Sequence, residues 1–158
     1  MGLVFAYAYQ HHDARLLQPV LQELVNRGHN VMGQPQNLYA FLGAAGPRAL
    51  VIVADLHTEG HIPGRAAVKL ARQNKVGSVS IQHGCPAAFP NPGDGPTKTE
   101  ADTYCLWGPY WKNWFDSKRQ VVTGNPAMDA VKDYPPPEKN GTGLLVPCYR
   151  EDARHEGL

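Results

Sequence analysis

The stretch Ala49 to Leu56, ALVIVADL, is apolar without polar alternation until Asp55. A strand that is apolar on both faces must be covered on both. That is the situation of an inner strand in a parallel sheet with helices on either side. This requirement restricts the chain to layered α/β architectures. Leu3 to Tyr9 (LVFAYAY) is a second short apolar run of the same kind. Between the two, Asp13 to Arg27 places Leu17, Val20, Leu21, Leu24 and Val25 on one helical stripe. Gly28 ends that helix, and Pro19 inside it predicts a kink or a late start. Asn30 to Met32 reads as a short strand and Leu38 to Leu42 as a short helix. Pro63 to Asn74 reads as a helix with Ala66, Ala67, Leu70 and Ala71 on one side, and Val76 to Gln82 as a further strand.

The segment Cys85 to Ala101 is long and rich in Pro and Gly, the signature of a functional loop. Thr103 to Trp107 (TYCLW) is predicted as a strand closed by Gly108-Pro109. A short aromatic helix follows over Tyr110 to Asp116. Gln120 to Thr123 completes the strands, and Pro126 to Lys132 begins a helix with proline in its first turn. Strand and helix alternate throughout. The expected fold class is therefore α/β: an open, mostly parallel Rossmann-like sheet with helices on both faces. A chain of 158 residues has room for one such core. Residues 1–133 are assigned to this domain, and 134–141 (YPPPEKNG) to a Pro-rich linker. Residues 142–158, with a strand at Leu144 to Val146, read as the start of a second domain.

Charge excludes some partners. The net charge is +1 with no basic stripe, so neither nucleic acid nor an anionic membrane is an expected partner. No apolar run approaches the roughly 20 residues of a transmembrane helix. The N-terminal apolar run has no basic segment before it and reads as a strand, not a signal peptide. Cys85, Cys105 and Cys148 are odd in number and irregularly spaced. They suggest neither a disulfide framework nor a zinc site, and a reduced, cytoplasmic protein is expected. There is no GxGxxG after the first strand, no GxxxxGK[ST] and no GxSxG, so standard dinucleotide, P-loop and serine-hydrolase sites are not expected. No cofactor and no metal are expected.

In open α/β sheets, ligands bind outside the carboxyl ends of the strands. Five of the seven histidines fall at that predicted edge: His11, His12, His57, His61 and His83. His83 closes the strand ending in IQHG. Its neutral imidazole could take a proton from an attacking hydroxyl, with Asp13 or Asp55 holding the tautomer. Alternatively it is a hydrogen-bonded structural histidine. Asp13 could equally cap its helix, and Asn125 could merely cap the helix after it. His57 and His61 stand four apart, but Gly60 and Pro63 argue against the helix that would make the spacing a metal site. His11-His12 could be a solvated loop. Trp107, Trp111 and Trp114 fit a core or an interface before a sugar-stacking surface.

The ordered segments VADLH, AVKLARQNKVGSVSIQHG, ADTYCLWGPYWKNWF and VVTGNPAMDAV together resemble the N-terminal, acceptor-side domain of GT-B type glycosyltransferases. They are most similar to the branch of UDP-N-acetylglucosamine 2-epimerases and CDP-glycerol glycerophosphotransferases. The resemblance spans residues 3 to 150. It implies a transferase of a sugar or polyol phosphate from a nucleotide donor, in the chemistry of cell surface polysaccharide biosynthesis. It implies His83 as base or phosphate contact, with His11 or His12 facing the acceptor. Asp55, His57, Gln82, Gly84, Gly124 and Asn125 would then line the cleft or the interdomain turn. The implied ligand is a nucleotide-activated sugar or CDP-glycerol. Such enzymes bind the donor mainly through a second domain, so the expectation is a fragment, a split enzyme with a partner chain, or a reduced binding domain. The epimerase pattern has an acidic residue at the QHG position that this sequence lacks, so transfer is favoured over epimerisation. A non-catalytic binding or assembly module of the same fold, homodimeric through WGPYWKNWF, is the alternative. A small flavodoxin-like regulator is a third reading, for which a lone Asp13 is thin support.

Overall fold

The computed structural model describes residues 2–8, 11–33, 42, 49–54, 62–83 and 97–133. Its centre is a six-stranded sheet in the order β2-β1-β3-β4-β6-β8. These strands are β1 (Leu3–Tyr7), β2 (Asn30–Gly33), β3 (Ala49–Val53), β4 (Gly77–Ile81), β6 (Thr103–Leu106) and β8 (Gln120–Val122). Every pairing is parallel. Two α-helices are described, α1 (His11–Asn26) and α2 (Ile62–Gln73). A separate two-stranded sheet joins β5 (Thr97–Lys98) to β7 (Phe115–Asp116). The α/β class and the open parallel sheet expected from the alternation of elements are those observed.

The two faces of the sheet explain the apolar run in β3. Phe5, Val51 and Val53 pack with Ala67, Val68 and Ala71 of α2. Val4, Ile52 and Ile81 pack on the other face with Leu16 and Leu17 of α1. Alternate side chains of one strand thus enter two different cores. Leu17 is fully buried, and burying such a side chain contributes about 2 kcal/mol.

Both helical stripes shift against the sequence reading. In α1, Val25 is exposed and Leu16 is buried, so the stripe turns toward the N-terminus. In α2, Ala66 is exposed, and Gly64, Ala67, Val68 and Ala71 form the buried i, i+3, i+4, i+7 row. The first turn of α2 lies on the ends of β1 and β3: a Cβ at Gly64 would touch Tyr7 and Val53 in ordinary van der Waals contact. Pro19 produces no late start, because α1 begins at His11 and runs through it. The helix closes on Gly28 at φ 81°. Its Gly28 N–H donates to Val25 O and the His29 N–H to Leu24 O, the paired bonds of a Schellman motif. The end of α2 has the same bonds, Lys75 N–H to Arg72 O and Val76 N–H to Ala71 O. Here Lys75 holds the left-handed position at φ 56°.

The C-terminal third departs most from expectation. The aromatic helix over Tyr110 to Asp116 is a 3-10 turn at Pro109–Asn113 followed by β7. Pro126–Asp133 is also 3-10. The run from Cys85 to Ala101 contains β5, so it is not loop throughout. The expected helix at 38–42, apart from Leu42, the linker at 134–141 and the strand at 144–146 lie outside the described residues.

The amino ends of three strands are tied by one carboxylate. Asp102 Oδ2 accepts from the Ser78 backbone N–H (3.1 Å) and hydroxyl (2.9 Å), and Lys118 Nζ lies 3.4 Å from Oδ1. Burial pushes this carboxyl up. The Ser78 hydroxyl, the Lys118 ammonium and the Ser78 N–H outweigh that and hold it below the usual aspartate value.

Candidate functional site

The chain leaves β1 for α1 and β2 on one side, then returns across β1 to β3 on the other. The strand order therefore reverses between the carboxyl ends of β1 and β3, where such sheets leave a crevice. Two polar side chains meet beside it. His83 lies two residues past β4, and its Nε2 stands 2.8 Å from Oδ1 of Asp13 in the first turn of α1. The Asp13 side chain is 1% exposed and that of His83 16%.

The local sequence explains the meeting. Odd-numbered residues of β4, Val79 and Ile81, face α1, and the alternation carries His83 to the same face. Asp13 is not the N-cap, because α1 already begins at His11. It is a carboxylate inside the first turn, where the helix dipole favours negative charge. A carboxylate this deep requires a partner, and the imidazole lies within reach of it.

Gln82, expected to contact substrate, is fully buried. Its Oε1 accepts the Trp107 backbone N–H at 2.9 Å, and the Gln82 N–H donates to Cys105 O. It locks the ends of β4 and β6 together instead of facing the cleft. Gly124 has φ 84°, and its N–H donates to Leu106 O at 3.2 Å, so it forms the turn that leaves β8. Asn125 Oδ1 accepts the Ala127 N–H at 3.0 Å; it caps the 3-10 turn, the simpler of its two readings. His11 and His12 are helical rather than in a loop, but their side chains lie outside the description. Asp55, His57, His61 and Gly84 lie outside the described residues.

Two aromatic residues at this edge carry more than the sequence reading gave them. Ile81 pairs with Cys105, and continuing that register by two sets Trp107 beside His83. Its Nε1–H is buried with no hydrogen-bond partner among the described residues. Tyr110, absent from the sequence candidates, is 67% exposed. The alternation of TYCLW and the proline-led turn after it were the available signals.

A separate cavity of about 390 Å³ lies under the second half of α1, away from His83. Pro19, Leu24, Ile81, Cys105 and Pro126 line it, with the Glu23–Arg27 ion pair at its border. Burial pushes the Cys105 thiol up, while a hydrogen bond with Thr123 opposes the shift.

Comparisons with family models, with curated proteins and with solved structures return no match. Among the described residues no helix is long and apolar enough to cross a membrane. Nor do three His, Cys, Asp or Glu side chains gather there as a metal site would require.

Proposed function

We propose that this domain is the acceptor-side half of a GT-B type transferase that moves a sugar or polyol phosphate from a nucleotide donor to an acceptor hydroxyl. The observation that carries the reading is the Asp13–His83 contact at the carboxyl edge of a parallel sheet. His83, with Nε2 2.8 Å from Asp13 Oδ1, serves in this reading as the base in its neutral form. It takes the acceptor hydroxyl proton as the oxygen attacks the anomeric carbon or the phosphorus of the donor. The bond to the nucleotide's phosphate oxygen breaks, and the nucleotide leaves with the electron pair. Asp13 stabilises the imidazolium that forms. The donor, a nucleotide-activated sugar or CDP-glycerol, is held mainly by the second half of such an enzyme. A domain of this kind works in the cytoplasm, where nucleotide donors are made and thiols stay reduced.

The test is transfer from radiolabelled UDP-sugars and CDP-glycerol by the complete enzyme. His83→Ala should lower turnover by about 10²-fold or more. Asp13→Asn should lower it less and shift the pH profile, because the imidazolium loses its counter-charge. Undiminished turnover in His83→Ala removes His83 from the mechanism.

A further inference from the structure

We propose that Tyr110, backed by Trp111 and Trp114, is a stacking platform for one ring of a small ligand, a sugar or a nucleobase, at the carboxyl edge of the sheet. The proposal rests on the transferase reading only for what the ligand is used for. The platform itself stands on geometry independent of His83.

Three observations converge. First, the cluster is built. Tyr110 meets Trp111 edge to face, with centroids 5.3 Å apart and planes at 84°. It meets Trp114 at 5.9 Å and 39°. Trp111 and Trp114 in turn pack on buried Tyr104, Leu106 and Phe115. The Trp111 N–H donates to Gly108 O and the Trp114 N–H to Trp111 O, so the turn that carries Tyr110 is fixed from below.

Second, Tyr110 itself is not needed by the fold. It is 67% exposed, and its hydroxyl makes no hydrogen bond to the described residues. A large aromatic held rigidly in water is what a binding surface requires, since little side-chain freedom is lost when a ligand settles on it.

Third, the place is that of ligands. The turn follows β6 at the same edge as the Asp13–His83 contact. Its leading residue, Trp107, is pinned through its N–H to Gln82, the neighbour of His83 in sequence. Cys105 packs on the α1 side of the sheet, so its β6 neighbours Tyr104 and Leu106, which carry the aromatic base, lie on the side away from α1, and the dyad lies on the α1 side. A ligand bridging the edge would rest one end on each.

Size chooses a small ligand over a protein. Two thirds of a tyrosine side chain presents on the order of 150 Å², whereas a stable protein interface needs about 800 Å² from each partner. One exposed ring matches one ligand ring. Stacking on an aromatic face does not by itself separate a sugar from a nucleobase, and the experiment does that.

The measurement follows the indole N–H NMR signals of Trp111 and Trp114 in the full chain during titration with cytidine and, separately, methyl α-glucopyranoside. The expected result is saturable shifts with one of the two probes in the millimolar range. Binding should be about tenfold or more weaker in Tyr110→Ala. Saturation by cytidine assigns a nucleobase, and saturation by the glycoside assigns a sugar. Equal binding by Tyr110→Ala overturns the proposal, as does no saturation by either probe. A dimer by light scattering that Tyr110→Ala converts to monomer also overturns it, in favour of a second copy of the chain. Ring binding that persists while His83→Ala retains full transfer would remove the catalytic reading and leave the platform.

Discussion

Asp13 and His83 lie 2.8 Å apart, yet β2, β3, β4 and the whole of α2 separate them along the chain. Removing either should take this contact from the other, at a cost of about 2 kcal/mol. The two losses should not add. Urea unfolding of Asp13→Ala, His83→Ala and the double variant should show the double costing clearly less than the sum. Strict additivity would mean that the two side chains do not depend on each other.

Lys75 holds a left-handed backbone where its equivalent at the end of α1 is glycine. The left-handed region costs a residue with a Cβ roughly 1 kcal/mol. Lys75→Gly should therefore stabilise the fold by a few tenths to about 1 kcal/mol, the gain being reduced by the freedom glycine adds to the unfolded chain. Gly28→Ala should destabilise by about 1 kcal/mol. Thermal melts of the two variants should move in opposite directions.

The Asp102 carboxyl is held below its unfolded value by Ser78 and Lys118 against the opposing effect of burial. Its contribution is therefore complete above the unfolded aspartate value of about 3.9 and is lost as pH falls through the lower folded value. Unfolding free energy measured from pH 6 downward should fall less steeply in Asp102→Asn than in the parent. An identical slope would place the acid sensitivity elsewhere.

Cys105 should be a slow nucleophile. Burial raises its thiol pKa, and the thiolate is the reacting form. Alkylation by iodoacetamide at neutral pH, mapped by mass spectrometry, should label Cys105 far more slowly in the folded chain than in urea. Rapid labelling of the folded protein would show that the cavity under α1 opens readily.

The sequence made the layered sheet legible because period is a local property. Five consecutive apolar residues in β3 state that both faces are covered, whatever lies on them. The helix stripes were legible only to within one position. Val25 and Ala66 are apolar enough to join a stripe, and only the packing that buries Leu16 and Val68 decides against them. After residue 97, β6 and β8 were legible, but β5, β7 and the 3-10 turns were not. A two-residue strand such as β5 has no period, and its pairing with β7 is a long-range fact. The candidate site divides the same way. His83 could be placed at a strand end from IQHG alone. Asp13 stood as one of two carboxylates able to reach it, because choosing between them requires the strand order. Gln82 shared the strand end with His83, but the alternation turned it into the core.

The pairing of β1 has a consequence for how the chain assembles. Leu3 stands in register with both Asn30 and Ala49, so the first of the described strands in sequence is an inner one. Both of its neighbours arrive after a crossover, and loop closure must come before those contacts form. Until β3 is available, β1 presents an open apolar edge and two uncovered faces. Slow steps and off-pathway association in refolding should therefore concentrate there, and a helper that shields Leu3 to Tyr7 would act at the stage of greatest exposure.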